Sequence, residues 1–368
     1  MKEEIIVVGE RLLWSTSSIL DVPTLDDEYP WGITMEKAED NLLRNIHPWH
    51  SNNFCNYGIG ATKDKEHKIL FCGCFNLTGA KIHKVAIDGR WFELRGSGPA
   101  RYDEGIGHFT HPTIYADAVG NGIVYTIART YHYPERKWIW RIQNQDGSII
   151  LNVELNARGQ AFWFGKPSGP YIMHGLASPL RRRTFDVWGG FLDFCDFVAE
   201  LKAPTIGVLS FRGFAGVDRE WHKRIGENPD ATPPYHAVLC YNAFALINEE
   251  IDMIIYESFD PWTGEEWART GRIRLIEEDA IYPFDNFKFT DNGGLTPTEY
   301  KIEGKFKGGS LDVSGRIINR WWERRVVERI PVSFNQPFIE WKGKIVVDGR
   351  AINISALGVA EFTRMKRP

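Results

Sequence analysis

The run Phe211-Arg212-Gly213-Phe214-Ala215-Gly216-Val217-Asp218-Arg219-Glu220-Trp221 sets two carboxylates and two arginines among large apolar side chains. A strand meant only for a core would not carry three ionised groups in a row, because burying each costs several kcal/mol unless it is paired or used. A carboxyl in an apolar pocket keeps its proton near neutral pH. Such an acid can protonate an alkene, and aromatic faces stabilise the cation that forms. Asp218 and Glu220 are two residues apart and share one side of a strand, with Arg219 on the other. Asp218 is the candidate proton donor, and Glu220 would tune it or orient a water. Trp188, Trp221 and Tyr241 are candidate pocket walls, and Arg219 and His222 join them as substrate-binding candidates. The plainer alternative is that Arg212 or Arg219 pairs with the carboxylates while Trp221 fills a core.

Other chemistry-bearing residues are weaker. His47 and His50, and His108 and His111, form two His-x-x-His pairs. Four imidazoles could hold a transition metal, but this spacing aligns two rings only on a helix, and Pro48 opposes one there. No metal is expected. His108 is kept as a substrate-binding candidate, a lone acid or base in the pocket. Cys72-Gly73-Cys74 is too closely spaced for a usual zinc pair and reads as packing. Arg95-Gly96-Ser97-Gly98-Pro99 lacks the Lys-Ser/Thr of a phosphate loop. Trp262 and Trp267 stand near Asp260, Glu265 and Glu266, a mixture also found in sugar-binding clefts, although Pro261-Trp262-Thr263-Gly264 is first a turn signal.

The elements that must position these groups are strands. Short apolar runs alternate with turn signals along most of the chain, and Asp88-Gly89 and Asp146-Gly147 are the clearest hairpin turns. Only residues 34–46 have a helical pattern. Roughly sixteen to eighteen strands in 368 residues imply sandwiches or barrels, and two of them. The expected boundary lies between Pro179 and Lys202, giving domains 1–188 and 189–368, the second carrying the Asp218 motif. Ala86-Ile87-Asp88-Gly89-Arg90 and Val346-Val347-Asp348-Gly349-Arg350 echo one another across the halves. Aromatics reach 13%, with 14 Trp, which suits a wide apolar interior. A net charge of −4 argues against a nucleic-acid partner. No run approaches the ~18 apolar residues of a membrane helix. The start of the sequence does not read as a signal peptide, and Cys55, Cys72, Cys74, Cys195 and Cys240 form an odd, sparse set. A cytoplasmic protein with reduced thiols is expected, and a homodimer is compatible with the sequence.

Val217-Asp218-Arg219-Glu220-Trp221, after a glycine-rich strand, resembles the central motif of the carotenoid 1,2-hydratase (hydroxyneurosporene synthase) family. The stretch from Ile339 to Gly349 resembles that family's aromatic-Glu-Gly-x-Val-x-Val-x-Gly pattern, and Gly358-Val359-Ala360-Glu361-Phe362-Thr363 its closing Gly-x-x-Glu-(Leu/Phe)-Thr. Ala161-Phe162-Trp163-Phe164-Gly165 corresponds to the end of a first barrel. His222 departs from the small residue usual there, and the first half carries less of the pattern. The resemblance implies an all-β protein of two lipocalin-like antiparallel barrels, or strongly bent sheets, packed in tandem. It also implies a superfamily of mixed activity, with hydratases of isoprenoid and prenylated flavonoid alkenes, Diels–Alder cyclases of polyketide pathways, and lipid binders.

The expected function is binding of a hydrophobic isoprenoid or polyene and its acid-assisted hydration, cyclisation or isomerisation, without cofactor. Three alternatives stand beside it: a pericyclic cyclase, a non-catalytic lipid or isoprenoid carrier, and a carbohydrate-active β-sandwich with an open groove lined by Trp262 and Trp267.

Overall fold

The computed structural model describes residues 5–8, 11–14, 51–76, 80–98, 100–102, 113–132, 135–159, 161–163, 171–174, 184–226, 240–259, 266–327 and 330–365. The expected helix at 34–46 lies outside the described residues. Every regular element among the described residues is a strand, and no helix long and apolar enough to cross a membrane occurs among them.

Strands β1 (Ile5–Val8) and β2 (Arg11–Trp14) pair with each other alone. A meander follows: β3 (Ser51–Ala61), β4 (Lys68–Asn76), β5 (Lys81–Ile87) and β6 (Arg90–Gly96). The short β7 (Arg101–Tyr102) leads to β8 (Thr113–Gly120), β9 (Ile123–His132), β10 (Lys137–Asn144) and β11 (Ile150–Ala157). After β12 (Phe162–Trp163) and β13 (Tyr171–His174) come two 20-residue strands, β14 (Thr184–Ala203) and β15 (Gly207–Gly226). They pair from Thr184↔Gly226 to Ala203↔Gly207, and Gly207 takes φ 73° at the tip. β14 also pairs with β11, and β15 with β3, which closes a barrel of 10 strands.

The second barrel has 8 strands: β16 (Cys240–Ile247), β17 (Ile251–Phe259), β18 (Glu266–Leu275), β19 (Ala280–Asp291), β20 (Glu299–Phe306), β21 (Gly309–Val327), β22 (Ile330–Val347) and β23 (Arg350–Met365). It closes where β16 pairs with β23.

Each barrel has its own core. In the first, Phe71, Ile127, Trp140, Val153, Phe197 and Val217 pack inward; in the second, Phe244, Ile255, Ile273, Ile302, Trp341 and Phe362 do. Inward residues alternate with outward ones, as in β10, where Trp138, Trp140 and Ile142 are buried in turn. The two Asp-Gly echoes are the same device. Asp88 and Gly89 take φ 51° and 80°, and Asp348 and Gly349 take 45° and 79°. Two consecutive positive φ values give the turn whose twist matches a tight hairpin, and Ile87↔Arg90 and Val347↔Arg350 close it.

The boundary expected at 188/189 is corrected. The strands that carry the Asp218 motif hydrogen-bond to β11 and β3, so they belong to the first unit, and the second begins beyond β15. A long ribbon returning to a strand some 150 residues earlier leaves no local trace in composition.

Candidate functional site

Asp218 lies on β15 opposite Leu192 of β14 and Cys55 of β3, and Cys55 lies opposite Cys74 of β4. Val217 is fully buried in the barrel core, so alternation turns Asp218 to the outer face of the same wall. That face is not a solvated one. Leu192, Phe194, Phe162, Cys72 and Lys84 on it are all buried, and Phe162 and Phe194 meet edge to face at 5.1 Å. Asp218 is half-buried, and its Oδ1 is a buried atom.

The two motif glycines answer two different constraints. A side chain on Gly216 would fall on the Tyr57 ring, which therefore lies over the glycine two residues before Asp218 on the same face. A side chain on Gly213 would strike the backbone of Ile59 and Gly60 on β3. The first glycine makes room for a phenol whose hydroxyl is buried; the second lets two strands close up. The composite wall is a carboxyl beside a phenol, Cys55 and Cys74, within aromatic and aliphatic surroundings. Tyr57 was not legible as a site residue, since nothing in its own strand marks it.

The ribbon gathers most of the sequence-predicted residues. Arg219 pairs with Phe191 and Phe54, Glu220 with Gly190 and Asn53, Trp221 with Gly189 and Asn52, and His222 with Trp188 and Ser51. Trp188 also pairs with Tyr171. Tyr241 is on β16, opposite Ser258 and Thr363, and so belongs to the second barrel and not to this ribbon. His108 lies outside the described residues, as do His47, His50 and His111. No group of three or more metal-ligating side chains occurs among the described residues.

Inside the same barrel is a polar constellation outside the Asp218 motif. Arg129 of β9, 5% exposed, donates through Nη2 to Oδ1 of Asn56 at 2.6 Å, and its guanidinium lies 5.2 Å from the Trp140 ring. Trp140 lies 5.4 Å from the imidazole of His83, and both are fully buried. His83 packs where a side chain on Gly73 would stand, between its own strand and Asn56. Burial, with the charges of Arg129 and Lys84, holds the His83 pKa well below the usual imidazole value. Burial draws Arg129 down to about 10, opposed by Cys55 and Cys74, so it stays a cation at neutral pH. A signal existed: Tyr125-x-Ile127-x-Arg129 and Lys81-x-His83-x-Val85 place polar groups at inward positions of alternating strands.

Elsewhere, Trp138 Nε1 donates to Asp193 Oδ2 at 2.9 Å, and Arg136 pairs with the same carboxylate. The second barrel carries an open groove of about 670 Å³ lined by polar and charged groups such as Asp291, Glu299, Lys301 and Arg316. Trp262, expected to line a carbohydrate groove, lies outside the described residues, and Trp267 is on β18.

No family model matches the sequence, and no curated protein matches it. Solved structures do match in shape. CghA gives a TM-score of 0.53 at 11% identity, over 86% of this chain and 90% of its own. Kievitone hydratase from Nectria haematococca gives 0.52 at 13%, over 85% and 89%. An ATTH protein from Nitrosomonas europaea gives 0.53 at 10%, over 86% and 92%. At these identities the likeness is one of fold: the chain is built as two lipocalin-like antiparallel β-barrels in tandem, like these three proteins.

Proposed function

We propose that the chain binds a hydrophobic small molecule with an isolated alkene and adds water to it, or cyclises it, with Asp218 as the acid. The observation that carries this reading is the position of the Asp218 carboxyl, half-buried with an enclosed Oδ1 on a wall of Leu192, Phe194, Tyr57 and Cys55. An apolar wall favours the protonated acid, and the aromatic groups on it favour a neighbouring carbocation. The carboxyl proton passes to one alkene carbon and leaves the cation on the other. A water then adds to the cation and returns a proton to the carboxylate, so the balance is one water gained. In cyclisation, a second alkene of the substrate attacks the cation in place of water, and the new cation so formed loses a proton from carbon to the carboxylate, so the balance is an isomerisation. Glu220 is the group that would orient the water, and Trp188, Trp221, Arg219 and His222 sit on the same ribbon. The family resemblance of the motif and the shared fold with a kievitone hydratase support a hydration chemistry.

The test is turnover of prenylated phenols and linear isoprenoids in D₂O, read by mass spectrometry. Wild type should yield products carrying deuterium on carbon. Asp218→Asn, which keeps shape and removes the acid, should lose at least about 100-fold, the low end for a general acid. Full turnover by the variant would remove Asp218 from the mechanism. Product without deuterium on carbon would instead indicate a pericyclic closure, in which no external proton is taken up.

A further inference from the structure

The interior of the first barrel holds a cation whose nearest hydrogen-bond partner is neutral. Arg129 is 5% exposed, and its recognised contacts are an amide oxygen and an indole face. No carboxylate within salt-bridge distance of it occurs among the described residues. An ion placed so costs several kcal/mol unless something compensates it.

The groups around it make the case more specific. Nδ2 of Asn56 (2% exposed), Nε of Arg129, Nε1 of Trp140 and both ring nitrogens of His83 are buried and find no hydrogen-bond partner among the described residues. Buried polar atoms are paired in the great majority of cases, so this many in one cluster points to a ligand. All but one of them are N–H donors, since a neutral imidazole offers one donor and one acceptor. The four residues come from four strands, β3, β5, β9 and β10, and touch in series, from Asn56 to Arg129 to Trp140 to His83. Around them stand Phe71, Phe75, Tyr125, Ile127 and Val217.

We propose that the interior of the first barrel is an oxyanion site, in which Arg129, Asn56, Trp140 and His83 take a single carboxylate, either a small free acid or the acid end of an apolar molecule. One negative charge matches the one guanidinium. Lys81, the other inward cation on the strand of His83, is turned to the Gly98 carbonyl and the Phe75 ring, and His83 is neutral, so a phosphate dianion would carry surplus charge into the aromatic and aliphatic surroundings of Arg129. A neutral ligand would leave the cation uncompensated. The Asp218 wall is on the other face of the sheet, so this site stands whether or not Asp218 is an acid.

Calorimetric titration of the full chain at pH 7 with acetate, octanoate and 1-octanol tests it. A carboxylate should bind wild type, and Arg129→Met should weaken it at least tenfold while leaving octanol unchanged. Octanoate binding at least tenfold tighter than acetate would identify the acid end of an apolar molecule; equal binding would identify a small acid. Asn56→Asp supplies the missing anion from the chain itself. It should raise the melting temperature and abolish carboxylate binding. Wild type that takes up neither carboxylate would overturn the proposal. So would an Asn56→Asp chain no more stable than wild type, or one that still binds carboxylate as wild type does.

Discussion

The first barrel buries Arg129 and the second Arg272 and Arg274, and Arg129 and Arg274 have their charges treated differently. In the second, Arg274 of β18 is fully buried against an equally buried Asp252 of β17, with Nε 3.2 Å from Oδ2 and a further contact through Nη2; Asp279 lies 3.8 Å away. In the first, Arg129 meets Asn56 and Trp140. The hydrophobic clusters of both barrels are aromatic and aliphatic and of similar make. A charge closed upon itself serves the fold. A charge left facing amides and rings serves something that arrives from outside.

The widest test of this contrast is Asp252→Ala, which strands Arg274 without its carboxylate. It should cost about 3–5 kcal/mol, measured by urea denaturation, because removing one member of a buried pair leaves the other with only the exposed Asp279 at 3.8 Å. A loss below about 1 kcal/mol would show that the pair is not what holds Arg274. Next comes pH. Lys81, buried in the first barrel over the Phe75 ring, is drawn by burial to about 8, below its ordinary 10.5. Between these values the unfolded chain keeps a proton that the folded chain has released, so stability should rise with pH across that window and not below it. The slope is at most about 1.4 kcal/mol per pH unit. Lys81→Met should flatten it in denaturation curves taken from pH 7 to 10. The smallest effect belongs to Arg129→Met, where relief of a costly charge is offset by loss of the bond to Asn56, of the Trp140 ring contact and of the pairing of Asn56 Oδ1, so that stability should change by about 1 kcal/mol or less in either direction. A loss as large as that of Asp252→Ala would make the two arginines equivalent and end the contrast.

Strand content, the Asp-Gly hairpins and the two-barrel count were legible because they are local: a period of two and a dipeptide of positive φ are written in adjacent residues. The face of the wall on which Asp218 stands was not. Alternation pairs Asp218 with Glu220, but only the burial of Val217 says which side is the core. The domain boundary failed for a related reason, since the partners of β15 lie on β3. Tyr57 enters the site only through the gap over Gly216. The Arg129 cluster joins residues as far apart as Asn56 and Trp140, and a sequence shows each only as a polar or aromatic exception on an inward position.

The closing ribbon also fixes an order of events during synthesis. A nascent chain that has emerged as far as Ala157 holds 8 of the 10 ring strands of the first barrel, with β3 and β11 as bare edges. Both edges stay open until β14 and β15 appear, roughly 3 to 14 seconds later at ribosomal rates of about 5–20 residues per second. Unpaired edges are templates for other chains, so this interval is when the nascent protein is most in need of a chaperone. The strand that ends the exposure is the one bearing Asp218, and the barrel and its candidate acid are completed in the same step.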